Sequence, residues 1–235
     1  MFIIEIAKLK IQINNKYHYL EKFCEDYIVN SKTFDFSITI NDNEIESEKT
    51  KFSANYSLGY LESIAAYRKI CLEIPKYDSL LIHSCSVKIN NKSYLFLAKS
   101  GTGKTTHCKL LKEYLKDDLT FINGDKPIIR KIGDDFYAFG TPWNGKERYG
   151  ENTNAIVKAL IFVERATTNS IAPLKKEELL KRIMNQVLLP SDIDSVNKTF
   201  NLLNDLLKQA KIYLLKCNMD ISAAECSYQE LKKGD

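Results

Sequence analysis

The sequence predicts an α/β fold: a phosphate-binding-loop (P-loop) nucleotide-binding core with a mixed sheet over residues 76–235, preceded by a small α+β unit over residues 1–75. Three observations carry this expectation. The apolar run Tyr94–Ala98 leads into Lys99-Ser100-Gly101-Thr102-Gly103-Lys104-Thr105-Thr106 and then into the amphipathic stretch His107–Leu115. That order reads as strand, glycine-rich turn and helix. Next, Asn90-Asn91 separates two apolar runs and tolerates positive φ, so it predicts a hairpin and gives the turn's strand an antiparallel neighbour. Finally, Pro75 closes a first segment of mixed strand and helix patterns, and from Leu80 the chain becomes strand-rich.

In the first segment, Phe2–Ala7 and Leu9–Ile13 are strand-like, and Asn14-Asn15 is a turn. Tyr17–Val29 carries Tyr17, Leu20, Cys24, Tyr27 and Ile28 at helical spacing. Phe34–Ile40 alternates with period two, a half-buried strand. Ser57–Ile74 reads as a helix or as a strand followed by a helix. This unit shows no Ser/His/Asp set and no metal cluster; it reads as a scaffold or as a module that docks a partner or substrate.

Leu80–Ile89 is expected to form one strand, with His83 inside it, and Lys92–Ala98 the returning strand of the hairpin. At the glycine turn the physical argument is direct. Two glycines let successive backbone N–H groups converge on an anion, and the following helix adds its unsatisfied amides and positive dipole end. Residues Lys99, Ser100, Gly101, Thr102, Gly103, Lys104, Thr105 and Thr106 are therefore candidates for nucleotide binding. Lys104 is placed to reach the outer phosphates, and the Thr105 hydroxyl to ligate Mg²⁺. Leu119–Asp125 is a short strand ending in a carboxylate, which can hold Mg²⁺ or accept a proton from an attacking hydroxyl. A turn-forming role for Asp125 after Gly124, and a hydrogen-bonded structural role for His83, stay open at this point.

Farther on, Ile128–Ile132 and Phe136–Phe139 form a hairpin across Gly133-Asp134. The segment Gly140–Gly150 is polar, glycine-rich and holds the single Trp; Lys146-Glu147-Arg148 sits on it as a charged cluster, expected on a mobile loop. Ala155–Glu164 is a buried strand, and Asn169–Pro173 a turn and edge segment. Lys175–Leu188 is an amphipathic helix, Ser195–Gln209 another, Lys211–Cys217 a strand and Ser222–Lys232 a closing helix.

Composition narrows the class of protein. With 44% hydrophobic and 27% charged residues, the 235-residue chain is expected to be soluble and globular. A net charge of +4 without a basic stripe gives no reason to expect nucleic acid, and no apolar run approaches a membrane span. The six cysteines form no C-x-x-C pairs and sit in apolar patterns, as reduced thiols of a cytoplasmic protein would. The acid in Met1-Phe2-Ile3-Ile4-Glu5-Ile6 argues against a signal peptide.

The strand with Ile82-His83-Ser84, the Asn90-Asn91 hairpin, the glycine turn and Asp125 after a strand together resemble the catalytic domain of HPr kinase/phosphorylase, a domain akin to the nucleotide-binding part of phosphoenolpyruvate carboxykinase. The resemblance covers about residues 80–165. Thr141–Glu147 and Phe162–Ala166 look like compact members associated with peptide-modification gene clusters. It implies that His83 is the active-site histidine, Lys104 the phosphate lysine, Thr105 an Mg²⁺ ligand and Asp125 the residue taking the proton from a serine. Gly124 departs from the family's Asp-Asp pair. For the later Mg²⁺-binding acid the candidate is Glu147, with Glu151 as competitor, and Lys146 and Arg148 are the substrate-binding candidates. The family's long loop after that acid is shortened here, which implies kinase rather than phosphorylase activity. The resulting expectation is an ATP- and Mg²⁺-dependent kinase acting on a hydroxyl of a peptide or small protein, with homo-oligomeric assembly left open. The alternative is a non-catalytic or regulatory nucleotide-binding module working through a protein partner.

Overall fold

The computed structural model describes residues 1–51 and 55–234. Strands β1 (Phe2–Ile6) and β2 (Leu9–Asn14) form a hairpin, and β3 (Phe36–Thr39) lies parallel to β2, completing a three-stranded sheet. The connection between β1 and β2 is Ala7-Lys8, both at positive φ (53° and 59°), a turn that carries none of the usual Asn or Gly signals. Alternate residues of the strands, among them Ile4, Ile11, Ile13 and Ile38, face a core covered by helix α3 (Leu58–Glu73).

Helix α1 (His18–Phe23) is shorter than the helical spacing over Tyr17–Val29 predicts. Its continuation is a single 3-10 turn, because Ile28 bridges Ile4 and the Val29 N–H donates to the Ile3 carbonyl at 2.9 Å. Helix α2 (Asp42–Lys49) forms where the sequence pattern predicts no element, and Asn41 and Glu44 make a reciprocal capping box at its start. Within Ser57–Ile74 the chain is helix with no strand: Ser57 caps α3, and a 3-10 turn, Ile74–Tyr77, follows it with Pro75 in its first turn. The core under α3 also takes in Leu81, Ile128, Phe139 and Trp143 from later in the chain.

The larger sheet is mixed and has nine strands among the described residues: β4 (Ser79–Leu81), β5 (Cys85–Ile89), β6 (Lys92–Leu97), β7 (Leu119–Asn123), β8 (Ile128–Ile132), β9 (Asp135–Phe139), β10 (Asn154–Arg165), β11 (Ser170–Pro173) and β12 (Lys211–Cys217). Along one path the order is β4-β8-β9-β10-β6-β5-β7. Strand β10 is long enough to change partners. One edge pairs parallel with β6 from Ile156 to Phe162; the other pairs antiparallel with β9 at Asn154–Ile156 and parallel with β12 from Ala159. Strand β5 is antiparallel to both β6 and β7, so β6, β7, β10 and β12 all end at the same edge of the sheet.

Alternation decides what each face buries. Tyr94 and Phe96 point to one face, covered by α4 (Lys104–Leu115) and α7 (Ile221–Leu231); Leu95 and Leu97 point to the other, covered by α5 (Lys176–Ile183) and α6 (Ile193–Gln209). No helix among the described residues is long and apolar enough to cross a membrane.

The single strand expected over Leu80–Ile89 is two. Leu80 and Leu81 pair with β8, Ile82 bridges Val187, and pairing with β6 and β7 begins only at Cys85 and Ser86. At the break the His83 N–H donates to the Gln186 carbonyl (2.8 Å) and the Ser84 N–H to the Asp125 carbonyl (3.1 Å). The chain thus keeps its backbone hydrogen bonds while switching sheet partners. The same Gln186 contact ends α5 earlier than the amphipathic pattern suggests, at Ile183.

Candidate functional site

The shared edge of β6, β7 and β10 is where the glycine turn stands. Gly101 and Gly103 have φ of 76° and 119°, a region that L side chains rarely adopt, and open space surrounds both. Gly103 is the N-cap of α4 and supplies no side-chain cap, and the first turn of α4 carries no acid. The amides at the start of this twelve-residue helix are therefore left facing outward. Arg165, at the end of β10 and in the lining of the same cleft, holds the turn: its Nε donates to the Thr102 carbonyl (3.0 Å) and its Nη2 to the Gly101 carbonyl (2.5 Å). The Thr102 N–H closes the turn onto the Lys99 carbonyl (3.1 Å), which leaves the amides on either side of it as the ones a ligand could meet.

Lys104 is buried, and its Nζ donates to the Ala98 carbonyl (3.2 Å) and lies 3.2 Å from His83 Nε2. The same Nε2 is 2.9 Å from Asp125 Oδ1. One ring nitrogen cannot serve both neighbours in one state. Either it carries a proton and donates to Asp125, or it is bare and accepts from Lys104. His83 is thereby a contested link between a cation and a carboxylate. Burial would raise the Asp125 carboxyl, but the hydrogen bond and charge of His83, with Lys126 and Lys104 nearby, outweigh it and hold the group below the usual range. Burial pulls the Lys104 ammonium below its ordinary value, partly opposed by Asp125.

Asp125 is positioned by a buried polar scaffold. The Asn123 side-chain oxygen accepts from the N–H of Asp125 (2.9 Å) and of Lys126 (2.6 Å), and its Nδ2 donates to the Thr141 hydroxyl (2.9 Å) and carbonyl (3.1 Å). The Thr141 and Tyr67 hydroxyls both donate to the Lys126 carbonyl, at 3.1 and 2.5 Å. Gly124 has a structural reason. A Cβ there would lie 2.8 Å from the Asn144 carbonyl oxygen and 3.1 Å from that of Tyr149, which accepts from the Gly124 N–H at 2.7 Å. No side chain, acidic or otherwise, has room at that position.

A cleft of about 270 Å³ gathers His83, residues 99–107, Asp125, the end of β10 and Cys217–Met219. The nucleotide-binding and catalytic candidates read from the sequence, Lys99 through Thr106 with His83 and Asp125, are therefore brought to one place. Glu147, Lys146 and Arg148 are not. All three are exposed and outside the cleft lining, and Glu147 is paired with Lys109 of α4. Glu151 is exposed and outside it as well. Among the described residues, no three His, Cys, Asp or Glu side chains converge as a metal-holding group.

The loop Gly140–Gly150 is less free than its composition suggests. Trp143 is buried, stacks on Tyr67 with ring centroids 4.4 Å apart, and donates from Nε1 to the Ser63 carbonyl (2.8 Å). Gln186, Arg165, Asn123 and Tyr67 were not singled out as site residues. Of these only Asn123 carried a local signal, as the first residue of an Asn-Gly-Asp turn.

No protein-family model matches this chain, and no curated protein matches it. Among solved structures, the chain is similar to one described as the Hpr(Ser) kinase/phosphatase from Coxiella burnetii, with 10% identity and a TM-score of 0.37, over 65% of this chain and 91% of that one. A likeness so slight carries no assignment.

Proposed function

We propose that the chain is a kinase that binds a nucleoside triphosphate, ATP or another, together with Mg²⁺ and transfers its terminal phosphoryl group to a hydroxyl, a serine of a peptide or small protein. The observation that carries this reading is the meeting of Lys104, His83 and Asp125 beside an open glycine turn. In this reading the turn is a P-loop. Its free amides and the start of α4 cradle the phosphates. Lys104 offsets charge on the transferring group, and Asp125, held ionised, accepts the proton of the attacking hydroxyl. His83 keeps the carboxylate oriented and hands its own hydrogen bond between Asp125 and Lys104 as charge moves.

The donor set suits Mg²⁺. The Thr105 hydroxyl and the Asp125 carboxylate both line the cleft and are hard oxygen donors, which Mg²⁺ takes together with phosphate oxygens and water. Bound there, the ion would supply charge neutralisation at the phosphates. Glu147 would join it only by leaving Lys109.

Titration calorimetry with ATP and Mg²⁺, alongside transfer to a serine peptide, tests this reading. Lys104→Ala is expected to weaken ATP binding by about tenfold or more, since it removes a charge-assisted contact. Asp125→Asn is expected to keep ATP binding within a few-fold and to lose about 10²–10³-fold in transfer. A wild-type chain that binds no nucleotide contradicts the proposal.

A further inference from the structure

Asp125 has two sides. His83 and Lys104 occupy one. The other is built from distant parts of the chain. A Cβ on Gly145 would come within 3.0 Å of the Asp125 Cβ, and Lys126 Nζ lies 3.9 Å from Oδ2. Helix α3 closes this side: Tyr67 bonds the Lys126 carbonyl and stacks on Trp143 of the Gly145 loop, and Trp143 packs on Phe23, whose ring leads on to Tyr19. Burial, Tyr56, Tyr19 and the Asp125 charge together raise the Tyr60 phenol.

Tyr60 belongs to an aromatic shelf. Its ring lies 4.8 Å from that of Tyr56 and meets Tyr19 edge-on at 6.4 Å; Tyr19 in turn stacks on Phe23 at 5.9 Å. Gly59 permits the arrangement, since a Cβ there would collide with the Tyr19 Cβ at 2.7 Å. Tyr19 and Leu58 stay exposed, at 38% and 45%, and Tyr56 and Tyr60 are half-buried. Beside Gly145, Lys146 and Arg148 are exposed and have no carboxylate partner among the described residues, while Glu147 between them is neutralised by Lys109.

We propose that this shelf is the acceptor site and that it takes an extended acidic peptide with an aromatic residue next to the hydroxyl it offers. Its ring packs on Tyr19 and Tyr60, and its carboxylates face Lys126, Lys146 and Arg148. The inference rests on the proposed transfer at Asp125. Charge complementarity selects the occupant: Lys146 and Arg148, on the loop whose Gly145 touches Asp125, are cations with no carboxylate partner among the described residues. A larger cavity of about 620 Å³ lies between β10 and α5, but neither Asp125 nor His83 lines it, so a hydroxyl seated there faces no base.

The experiment is fluorescence anisotropy with the full chain and three labelled hexapeptides: Asp-Asp-Ser-Phe-Asp-Asp, Lys-Lys-Ser-Phe-Lys-Lys and Asp-Asp-Ser-Ala-Asp-Asp. Each is read with and without a non-hydrolysable ATP analogue and Mg²⁺. The acidic Phe peptide is expected to bind about tenfold or more tighter than the basic one, and the double variant Lys146→Glu/Arg148→Glu to remove that preference. Tyr60→Ala, or Tyr19→Ala at the more exposed position, is expected to weaken the Phe peptide several-fold and to leave the Ala peptide unchanged. Equal affinity for acidic and basic peptides, or a preference that survives the charge reversal, overturns the inference. Binding of the ATP analogue, measured on the same samples, separates the two levels: analogue bound without acidic preference sinks the acceptor site alone, and no analogue bound sinks the kinase reading.

Discussion

The turn Lys99–Gly103 and the loop Gly140–Gly150 are both rich in glycine and both reach the surface, yet they are held in opposite ways. In the turn, the group proposed to meet a ligand is the backbone itself. Its shape follows from two glycines at positive φ, a strand before it and a helix after it, with Arg165 bonding two of its carbonyls. In the loop, position comes from contacts with distant parts of the chain: Trp143 packs against Tyr67 and Phe23, Tyr149 stacks on Phe121, Thr141 bonds Asn123 and Lys126, and the Tyr149 carbonyl takes the Gly124 N–H. The loop's charged side chains hang outside that anchor. A turn's chemistry can thus be read from neighbours in sequence, whereas a loop's depends on what it packs against.

Breaking the anchor is the most severe test of the contrast. Trp143→Ala is expected to cost about 3–5 kcal/mol, the range for removing a buried indole, and to be visible as a lowered urea midpoint. A loss under about 1 kcal/mol would mean that the loop is held otherwise.

On the turn's side, the sharper probe is pH. His107 in α4 is buried against Phe96, and its Nε2 lies 3.0 Å from the Ser227 hydroxyl, which itself donates to the Ala224 carbonyl. That hydroxyl hydrogen is committed, so His107 Nε2 donates; Nδ1 is buried with no partner to receive a second ring proton, which favours the neutral ring. Burial lowers its pKa from 6.5 to about 4. The unfolded chain therefore takes up the proton first as pH falls. Stability on this account is complete above about pH 6.5 and declines towards pH 4, by on the order of 3 kcal/mol. Urea unfolding of wild type and His107→Leu at pH 7.5 and pH 4.5 isolates the effect: the variant should lose less stability across that interval. An equal loss in both would contradict a neutral, buried His107.

Much of this architecture was legible in sequence. The strand, turn and helix at Tyr94–Leu115, the Asn90-Asn91 hairpin with φ of 49° and 59°, and the strand ending near Asp125 are all set by local pattern. What escaped is non-local. A continuous apolar run such as Leu80–Ile89 does not announce where its ladder partner changes from β8 to β6, so the break that frees His83 was invisible. The Gln186 contact at that break comes from more than a hundred residues away. Trp143 looked like part of a mobile polar loop because its partners Tyr67 and Ser63 lie on α3. Helix α2 is a different kind of miss, since its capping pair, Asn41 and Glu44, is a local signal.

The central claim is that phosphates sit on the glycine turn with the transferring group facing Asp125. A crystal structure with a non-hydrolysable ATP analogue and Mg²⁺ tests it most directly. The prediction is phosphate oxygens on backbone amides of the glycine turn and of the first turn of α4 and on Lys104 Nζ, the terminal phosphate toward Asp125, Mg²⁺ at the Thr105 hydroxyl, and Glu147 still on Lys109. A nucleotide seated in the cavity beside α5, or one whose terminal phosphate points away from Asp125, would contradict it.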